Sequence, residues 1–357
     1  YGIAVYQSYR NRNPYDVDGD SFSEIGKLNM NTFGLRAYYR PTQFSRLNIE
    51  YHTTNEFRRG GNKFDLEPFE SDITEQTKHV INSGGLTYNL FWKEYKHKLS
   101  FFASSQHVDR NSYYGAQQDP NAYGKTKDLT FVGGGMYVGN FDKVLFSPAT
   151  FTAGMEYQHN NMHDIMAGYN RDLEQKVRIA SAFFQNEWKI KDFTLLAGFR
   201  LDDHNLIDNL IFSPRVNMLY KPSDAFQGRL TWSTGFRAPQ AYDEDLHITA
   251  VGGEGVLIHL AEGLKPEKSN SFSGSVDLSG QIGHFQTNLL IEGFYTSLKD
   301  VFYLQNVGVD TNGNTLQERR NGSGAKVYGV NIDGKIAHGR DASLQVGFTV
   351  QRSRYDE

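Results

Sequence analysis

The 357-residue chain is rich in aromatic residues and glycine, with 21 tyrosines, 25 phenylalanines and 35 glycines against only 9 prolines. This balance is typical of many short β-strands joined by turns. A formal net charge of −4 excludes the basic excess of a nucleic-acid-binding protein, and the lack of cysteine excludes disulfides and thiolate metal sites. No apolar run approaches the ~18 residues that a transmembrane helix needs.

In chain order, about fifteen strand-like segments are separated by connections that alternate between long and short. The long polar connections are predicted at 11–30, 57–79, 109–126, 161–175, 204–209, 238–268 and 306–315. The short turns are predicted at 41–43, 93–96, 140–149, 190–192, 222–225, 280–283 and 337–342. An antiparallel barrel in an outer membrane has this asymmetry, because its periplasmic turns are short and its extracellular loops are longer.

The individual strands indicate one apolar and one polar face. Leu47, Ile49 and Tyr51 alternate with Asn48 and Glu50, so one side suits lipid and the other suits water. The same alternation returns at 86–92, 151–158 and 193–202. We find no domain boundary, and therefore predict an all-β fold in which residues 1–357 form one antiparallel transmembrane β-barrel domain.

Aromatic residues concentrate beside the predicted short turns. They are Tyr38, Tyr39, Phe91, Trp92, Phe141, Trp188, Phe193, Tyr220, Phe226 and Phe285. Amphipathic rings prefer the headgroup zone of a membrane, so a row of them marks where strands leave the hydrocarbon. Aromatic residues are also common in strands of any kind, which leaves a second explanation open.

Two motifs flank the longest connection. The segment 234–239 contains Phe-Arg-Ala-Pro, and the segment 262–269 contains Leu-x-Pro-Glu. Both resemble the signature boxes of TonB-dependent outer-membrane receptors, the first in full and the second in its latter half. The matching residues are Phe236, Arg237, Ala238, Pro239, Leu264, Pro266 and Glu267. The segment 321–331 is similar to a late-barrel pattern of the same family.

This resemblance implies an active importer. Receptors of the family close a barrel of about 22 strands around a plug domain. They bind a scarce chelate from outside and release it inward when TonB, energised by ExbB and ExbD, pulls on the plug. The chain contains neither a plug nor a TonB box, and it begins and ends in strand-like sequence. We therefore expect part of a larger barrel in the bacterial outer membrane, in contact with lipid and not with nucleic acid.

The resemblance implies a ferric siderophore or cobalamin as the ligand, bound at the long connections. The candidate ligand-binding residues are Arg58, Arg59, Tyr113, Tyr114, Tyr169, Asp243 and Glu244. Paired arginines could hold an anionic chelate by charge-assisted hydrogen bonds, and tyrosines could form a platform for it. All of them could equally be solvated loop residues.

Two further sets of residues could bind a metal ion or a haem iron. Asp16, Asp18 and Asp20 are spaced so that alternate carboxylates could converge on calcium, although a solvated acidic turn has the same composition. His247 and His259 lie between the two signature boxes, where haem receptors of this family place an axial histidine. His259 stands in a strand-like stretch and could simply face a neighbour. Haem uptake is therefore an alternative function, and no resident cofactor other than calcium is expected.

The sequence carries no enzyme signature. A nucleophile elbow, a phosphate-binding loop and a metalloprotease helix are all missing from it. A passive porin or an outer-membrane barrel enzyme remains the alternative from another functional class. We expect a receptor and not an enzyme.

Overall fold

The computed structural model describes residues 1–169, 171–239, 256–309, 311, 313 and 315–356. Within them, no helix is long and apolar enough to cross a membrane. The strands are β1 (Gly2–Arg12), β2 (Ser23–Tyr39), β3 (Ser45–Gly61), β4 (Ile73–Trp92), β5 (His97–Ala116), β6 (Tyr123–Val144), β7 (Ser147–Met166), β8 (Arg171–Ile190), β9 (Phe193–His204), β10 (Ile211–Ser223), β11 (Phe226–Arg237), β12 (Val256–Leu260), β13 (Glu267–Ile282), β14 (Phe285–Lys299), β15 (Phe302–Val309), β16 (Thr315–Asn321), β17 (Gly324–His338) and β18 (Ala342–Tyr355). Single 3₁₀ turns lie at Pro68–Glu70 and Ala167–Tyr169.

Fifteen of these strands form one continuous sheet in the described part of the chain. Its order is β1 to β11, then β13, β14, β17 and β18. Every neighbouring pair in this sheet is antiparallel, so consecutive connections lie at opposite ends of the strands. The remaining strands, β12, β16 and β15, form a three-stranded sheet in which β12 runs parallel to β16. The antiparallel sheet of about fifteen strands is thus confirmed.

The outer face of the sheet carries an apolar band of membrane thickness. On β14, alternation places Phe285, Leu289, Ile291 and Tyr295 on this face, and all four are exposed. Ten residues at about 3.4 Å each give ~34 Å along the strand. With the ~40° strand tilt usual in membrane barrels, the band is ~26 Å high, which matches the expected apolar height.

The inner face is polar, and hydrogen bonds across the strands link many of its side chains. Arg200 on β9 donates to Asp202 at 2.7 Å and to Glu156 on β7 at 2.9 Å. On β17, Asn331 donates to Glu292 at 3.1 Å and accepts from Thr349 at 3.0 Å. Because buried polar groups are costly without partners, these cross-strand networks specify which face turns inward.

Aromatic rings meet across the strands near the short turns. Phe193 stacks on Tyr220 with 4.4 Å between ring centroids, and Phe146 stacks on Trp188 at 5.7 Å. Such rings mark the lower border of the apolar band. The other border lies near Tyr295, toward the long connections.

The strands extend much further toward the long connections than the sequence indicated. The connections predicted at 57–79, 109–126 and 161–175 shrink to 62–72, 117–122 and 167–170, so their predicted boundaries are wrong. Beyond the membrane both faces of a strand meet water, and the apolar–polar alternation that reveals a strand disappears. The backbone still forms ladders there. At about 3.4 Å per residue, a strand such as β6 with its 22 residues is ~75 Å long, roughly twice what the apolar band requires.

Three other predicted long connections also contain strand residues. Residues 11–30 include the end of β1 and the start of β2, and residues 238–268 include β12 and the start of β13. Residues 306–315 include the end of β15 and the first residue of β16. The three-stranded sheet therefore joins the connection between β11 and β13 to the connection between β14 and β17. Polar strands of this kind are hidden from a search for apolar periodicity.

Candidate functional site

A chain of charged residues crosses the inner face of β3 to β8 near the long connections. Backbone register places Glu56 opposite His79, and His79 opposite Arg110. Two nitrogens of the Arg58 guanidinium donate to the Glu56 carboxylate, Nε to Oε1 at 2.7 Å and Nη2 to Oε2 at 3.0 Å. The His79 Nδ1 lies 3.8 Å from Glu56 Oε1. This arrangement presents guanidinium and imidazole groups toward the interior in fixed orientations.

Asp164 is the buried centre of the same chain of charges. Its side chain is 1% exposed. Arg110 Nη2 lies 3.3 Å from Oδ1, Arg171 Nη2 lies 2.6 Å from Oδ2, and the Thr126 hydroxyl donates to Oδ1. Two guanidiniums share one carboxylate here, and the partly exposed Arg110 keeps hydrogen-bonding capacity for an anionic ligand.

A cavity of about 320 Å³ opens beside these groups on the inner face. Its lining includes His79, Arg110, Asp128, Asn160 and Gln175. The sequence search named Arg58 but none of these residues, because each stands alone among polar neighbours. Only the register of five adjacent strands brings them together.

Arg58 and Arg59 do not form a pair, since consecutive strand residues lie on opposite faces. Arg59 is 6% exposed. It donates from Nη1 to the Leu66 carbonyl at 2.8 Å and from Nη2 to the Lys63 carbonyl at 3.1 Å. Its guanidinium also lies over the Phe64 ring, 5.6 Å from the centroid. Arg59 thus organises the connection 62–72.

The same connection is tied by a carboxylate. Asp72 accepts from Lys63 Nζ at 2.7 Å and from Asn62 Nδ2 at 2.8 Å. The hydrogen bond from Lys63, followed by that from Asn62, lowers the pKa of Asp72 below its usual range. Deprotonated Asp72 therefore closes the loop between its two ends.

The three tyrosines predicted to form a ligand platform lie in different surroundings. Tyr113 is fully buried, donates from its hydroxyl to the Asp119 carbonyl at 2.9 Å, and packs edge-on against Tyr123 at 4.9 Å. Tyr114 is half-buried and packs against the cluster of Tyr113, Ala122 and Met166. Tyr169 ends the 3₁₀ turn Ala167–Tyr169. Tyr113 therefore supports the connection 117–122 in this structure.

The predicted acidic turn brings its carboxylates together. Ligand oxygens of Asp16, Asp18, Asp20 and Glu24 all lie within 4.8 Å of one another. The backbone N–H groups of Gly19 and Ser21 donate to the two oxygens of Asp16 at 2.6 and 2.8 Å. Glu24, at the start of β2, was not anticipated from the Asp-x-Asp-x-Asp spacing. Calcium binding stays a prediction.

The remaining candidates lie in or beside the longest connection. His259 is exposed on β12 and stands opposite Glu318 of β16 in the parallel register. Asp243, Glu244 and His247 fall outside the described residues. The ligand roles of all four residues stay predictions.

The two signature boxes meet at one point, which we call the signature clamp. Arg237 and Glu267 are register partners at the ends of β11 and β13, with Nη1 and Oε2 3.7 Å apart. The other oxygen of Glu267 accepts the backbone N–H of Phe302. The Phe302 ring lies beneath two guanidiniums, those of Arg237 at 5.7 Å and Arg319 at 5.9 Å. The clamp thus joins the large sheet to the three-stranded sheet.

Asn321 closes the clamp from the other side. Its Oδ1 accepts the Lys265 backbone N–H at 2.8 Å, and its Nδ2 donates to the carbonyls of Lys265 at 3.0 Å and Asp300 at 2.6 Å. Ala238 and Pro239 are buried beside the end of β11, and Leu264 and Pro266 are partly buried. Phe236 meets the His204 ring edge-on at 6.4 Å. The signature residues therefore contact the segments where both long connections start, and a structural role for them stays a prediction.

A family model described as "TonB dependent receptor-like, beta-barrel" matches residues 1–356. The chain is 28% identical over 201 residues to the "Iron-regulated outer membrane virulence protein" of Vibrio cholerae serotype O1, a match that covers 55% of this chain and 29% of that protein.

Solved structures share the fold. The siderophore receptor PirA from Pseudomonas aeruginosa superposes with a TM-score of 0.75 at 16% identity, over 98% of this chain and 60% of that one. PirA from Acinetobacter baumannii gives a TM-score of 0.75 at 16% identity, over 99% and 58%. The chain thus spans about 60% of the length of these receptors.

Proposed function

The chain belongs to the TonB-dependent receptor-like β-barrel family, and we propose that it serves the TonB-dependent uptake of a ferric siderophore. It is part of a bacterial outer-membrane protein, and its family and structural neighbours are receptors and transporters, not enzymes. We propose that TonB, with ExbB and ExbD, supplies the energy for this uptake. The ligand enters from the side of the long connections.

The observation that carries the choice of ligand is the inner-face cluster of arginines. Arg58 and Arg110 are held by Glu56 and Asp164, and their side chains stay 62% and 23% exposed, so both keep donors for a ligand. Arg171 is 9% exposed and holds Asp164 in place. Ferric siderophores present catecholate, hydroxamate or carboxylate oxygens, which accept charge-assisted hydrogen bonds from guanidinium groups. The structural neighbours include siderophore receptors, which supports the same ligand class.

Cobalamin and haem are the competing ligands within the same transport class. Cobalamin has fewer anionic groups for the arginine cluster to bind. A haem receptor needs an axial ligand, and His259 on β12 is the described candidate for that role. The uptake of cobalamin and of haem is therefore measured beside that of the ferric siderophore.

The test is uptake by a deletion strain that is complemented with the full-length receptor. We expect radiolabelled iron to enter as a ferric siderophore, and labelled cobalamin and haem to stay outside. Arg58→Gln and Arg110→Gln should each weaken siderophore binding by about tenfold, because a hydrogen bond to a charged group contributes ~1.5 kcal/mol or more.

Arg178→Gln is the matched control, since alternation puts Arg178 on the outer face of β8. Receptor levels in the outer membrane are measured in parallel. Entry of cobalamin or haem without any ferric siderophore would overturn the proposal, and so would an equal loss of binding in all three variants.

A further inference from the structure

Five cationic side chains lie together on the outer face, toward the long connections. They are Lys268 on β13, Lys299 on β14, Lys326 on β17, and Arg352 and Arg354 on β18. Alternation puts them on the same face as the lipid-facing residues of these strands. We call this set the outer cationic patch.

Charges of one sign face each other within the patch. Lys268 lies directly opposite Lys299, and Lys326 lies directly opposite Arg354. Like charges in opposite positions of an antiparallel pair repel each other. Among the described residues, the patch forms one ion pair, from Lys326 to Asp356 at 2.7 Å. Lys268 and Lys299 lie on interior strands of the sheet and have no ion-pair partner among the described residues, so their positive charge calls for an anion from outside the chain.

The depth of the patch agrees with a membrane headgroup. Arg352 is level with Tyr328, whose other register partner, Tyr295, belongs to the upper aromatic row of the outer face. Lys299 follows Tyr295 by four residues on the same strand, which at about 3.4 Å per residue is ~14 Å along the strand. With a tilt near 40° the patch covers the first ~10 Å beyond the aromatic row. That interval contains the polar headgroups of a bilayer.

An apolar groove lies directly beneath the patch. Gly274 and Gly293 are register partners on the outer face, so two side chains are missing next to each other. A groove of about 740 Å³ results, whose walls include Leu230, Phe272 and Tyr295. A Cβ atom added at Gly293 would meet nothing within 4 Å. Its apolar walls suit an acyl chain.

We propose that this face binds a phosphorylated lipid of the outer leaflet, with phosphates on the outer cationic patch and an acyl chain in the groove below. Charge, depth and the continuity of groove and patch all favour one amphiphile over a protein partner. The site lies on the lipid side of the sheet, away from the arginine cluster. It therefore stands independently of the ligand that is imported.

The first test measures lipid retention by the purified full-length receptor in detergent micelles. The probe is bisphosphorylated lipid A, compared with dephosphorylated lipid A, and native mass spectrometry reads the adducts. The variant Lys268→Gln/Lys299→Gln should weaken lipid A binding roughly 25-fold, because a cation near an anionic membrane surface contributes about fivefold in affinity. Dephosphorylated lipid A should bind weakly to both proteins.

Lys143→Gln/Lys191→Gln is the matched control. It removes the same charge from exposed positions at the short-turn end and should leave retention unchanged. Gly293→Leu tests the groove without changing charge, and should weaken the binding of lipid A but not of inorganic phosphate. Heat-modifiable gel mobility verifies that each variant is folded.

Three outcomes would overturn the proposal. The first is equal retention of lipid A by the patch variant and the control. The second is equal retention of the phosphorylated and dephosphorylated lipids. The third is an unchanged affinity for lipid A in Gly293→Leu together with an inorganic phosphate affinity equal to that for lipid A, which would assign the patch to free anions.

Discussion

Replacing Glu267 with alanine should release the three-stranded sheet from the large sheet. The Glu267 side chain is 14% exposed, and one of its oxygens accepts the backbone N–H of Phe302 at the start of β15. A hydrogen bond to a charged group contributes about 2 kcal/mol. The ion pair to Arg237 adds little, because the two groups are 3.7 Å apart and the Arg237 side chain is 47% exposed.

A loss of about 2 kcal/mol from local opening raises amide exchange roughly 30-fold. We expect this acceleration across β15 and β16, with no change in β14 and β17. Glu267→Gln keeps an acceptor oxygen but loses the charge, so its effect should be about fivefold, or ~1 kcal/mol. Hydrogen exchange followed by mass spectrometry reads all four strands in one measurement.

Glu262→Ala is the control, since Glu262 is an exposed glutamate of the same connection. Its exchange pattern should match the unsubstituted protein. Equal exchange rates of β15 and β16 in Glu267→Ala and Glu262→Ala would refute a holding role for Glu267. In that case the clamp would accompany the three-stranded sheet without holding it.

Three other predictions concern carboxylates. Asp164→Asn should lower the free energy of unfolding by about 3 kcal/mol, because it leaves buried guanidiniums uncompensated, whereas Asp172→Asn, whose carboxylate is 73% exposed, should change it by less than ~0.5 kcal/mol in a chemical unfolding assay. Because the pKa of Asp72 is lowered, its loop contacts are fully present above the usual aspartate pKa and are lost as the pH falls through the lowered pKa. An NMR titration should show a higher pKa for Asp72 in Lys63→Gln. Calorimetric titration with calcium should give a binding isotherm that Asp18→Asn weakens, and a flat isotherm for the unsubstituted protein would reject the site.

The membrane-spanning part of the fold could be predicted from the sequence because lipid and water impose opposite demands on alternate residues. Leu47, Ile49 and Tyr51 face one solvent and Asn48 and Glu50 the other, so the period of two is legible. The upper halves of the strands meet water on both sides and lose this signal. Their ladders depend on pairing with neighbours, which no local pattern reveals.

The candidate site was less accessible to sequence reasoning for a related reason. Arg58 was found because it adjoins Arg59, yet adjacency in a strand separates side chains onto opposite faces. His79 and Arg110 are 31 positions apart in sequence but opposite each other in register. By contrast, Arg237 and Glu267 were identified through the two boxes, and their contact explains why the boxes stand at the two ends of one connection.

The upper halves of β4 to β8 bear on how recognition can change between related receptors. There the wall around the polar inner face is a hydrogen-bonded sheet, and the connections at its upper end have only 4 to 6 residues. New specificity can therefore arise by exchanging single inward side chains on an unchanged backbone, without loop insertions. Exposed inward positions, unlike the buried Asp164, should tolerate saturation mutagenesis while the receptor still folds, so one scaffold can be adapted to different chelates one side chain at a time.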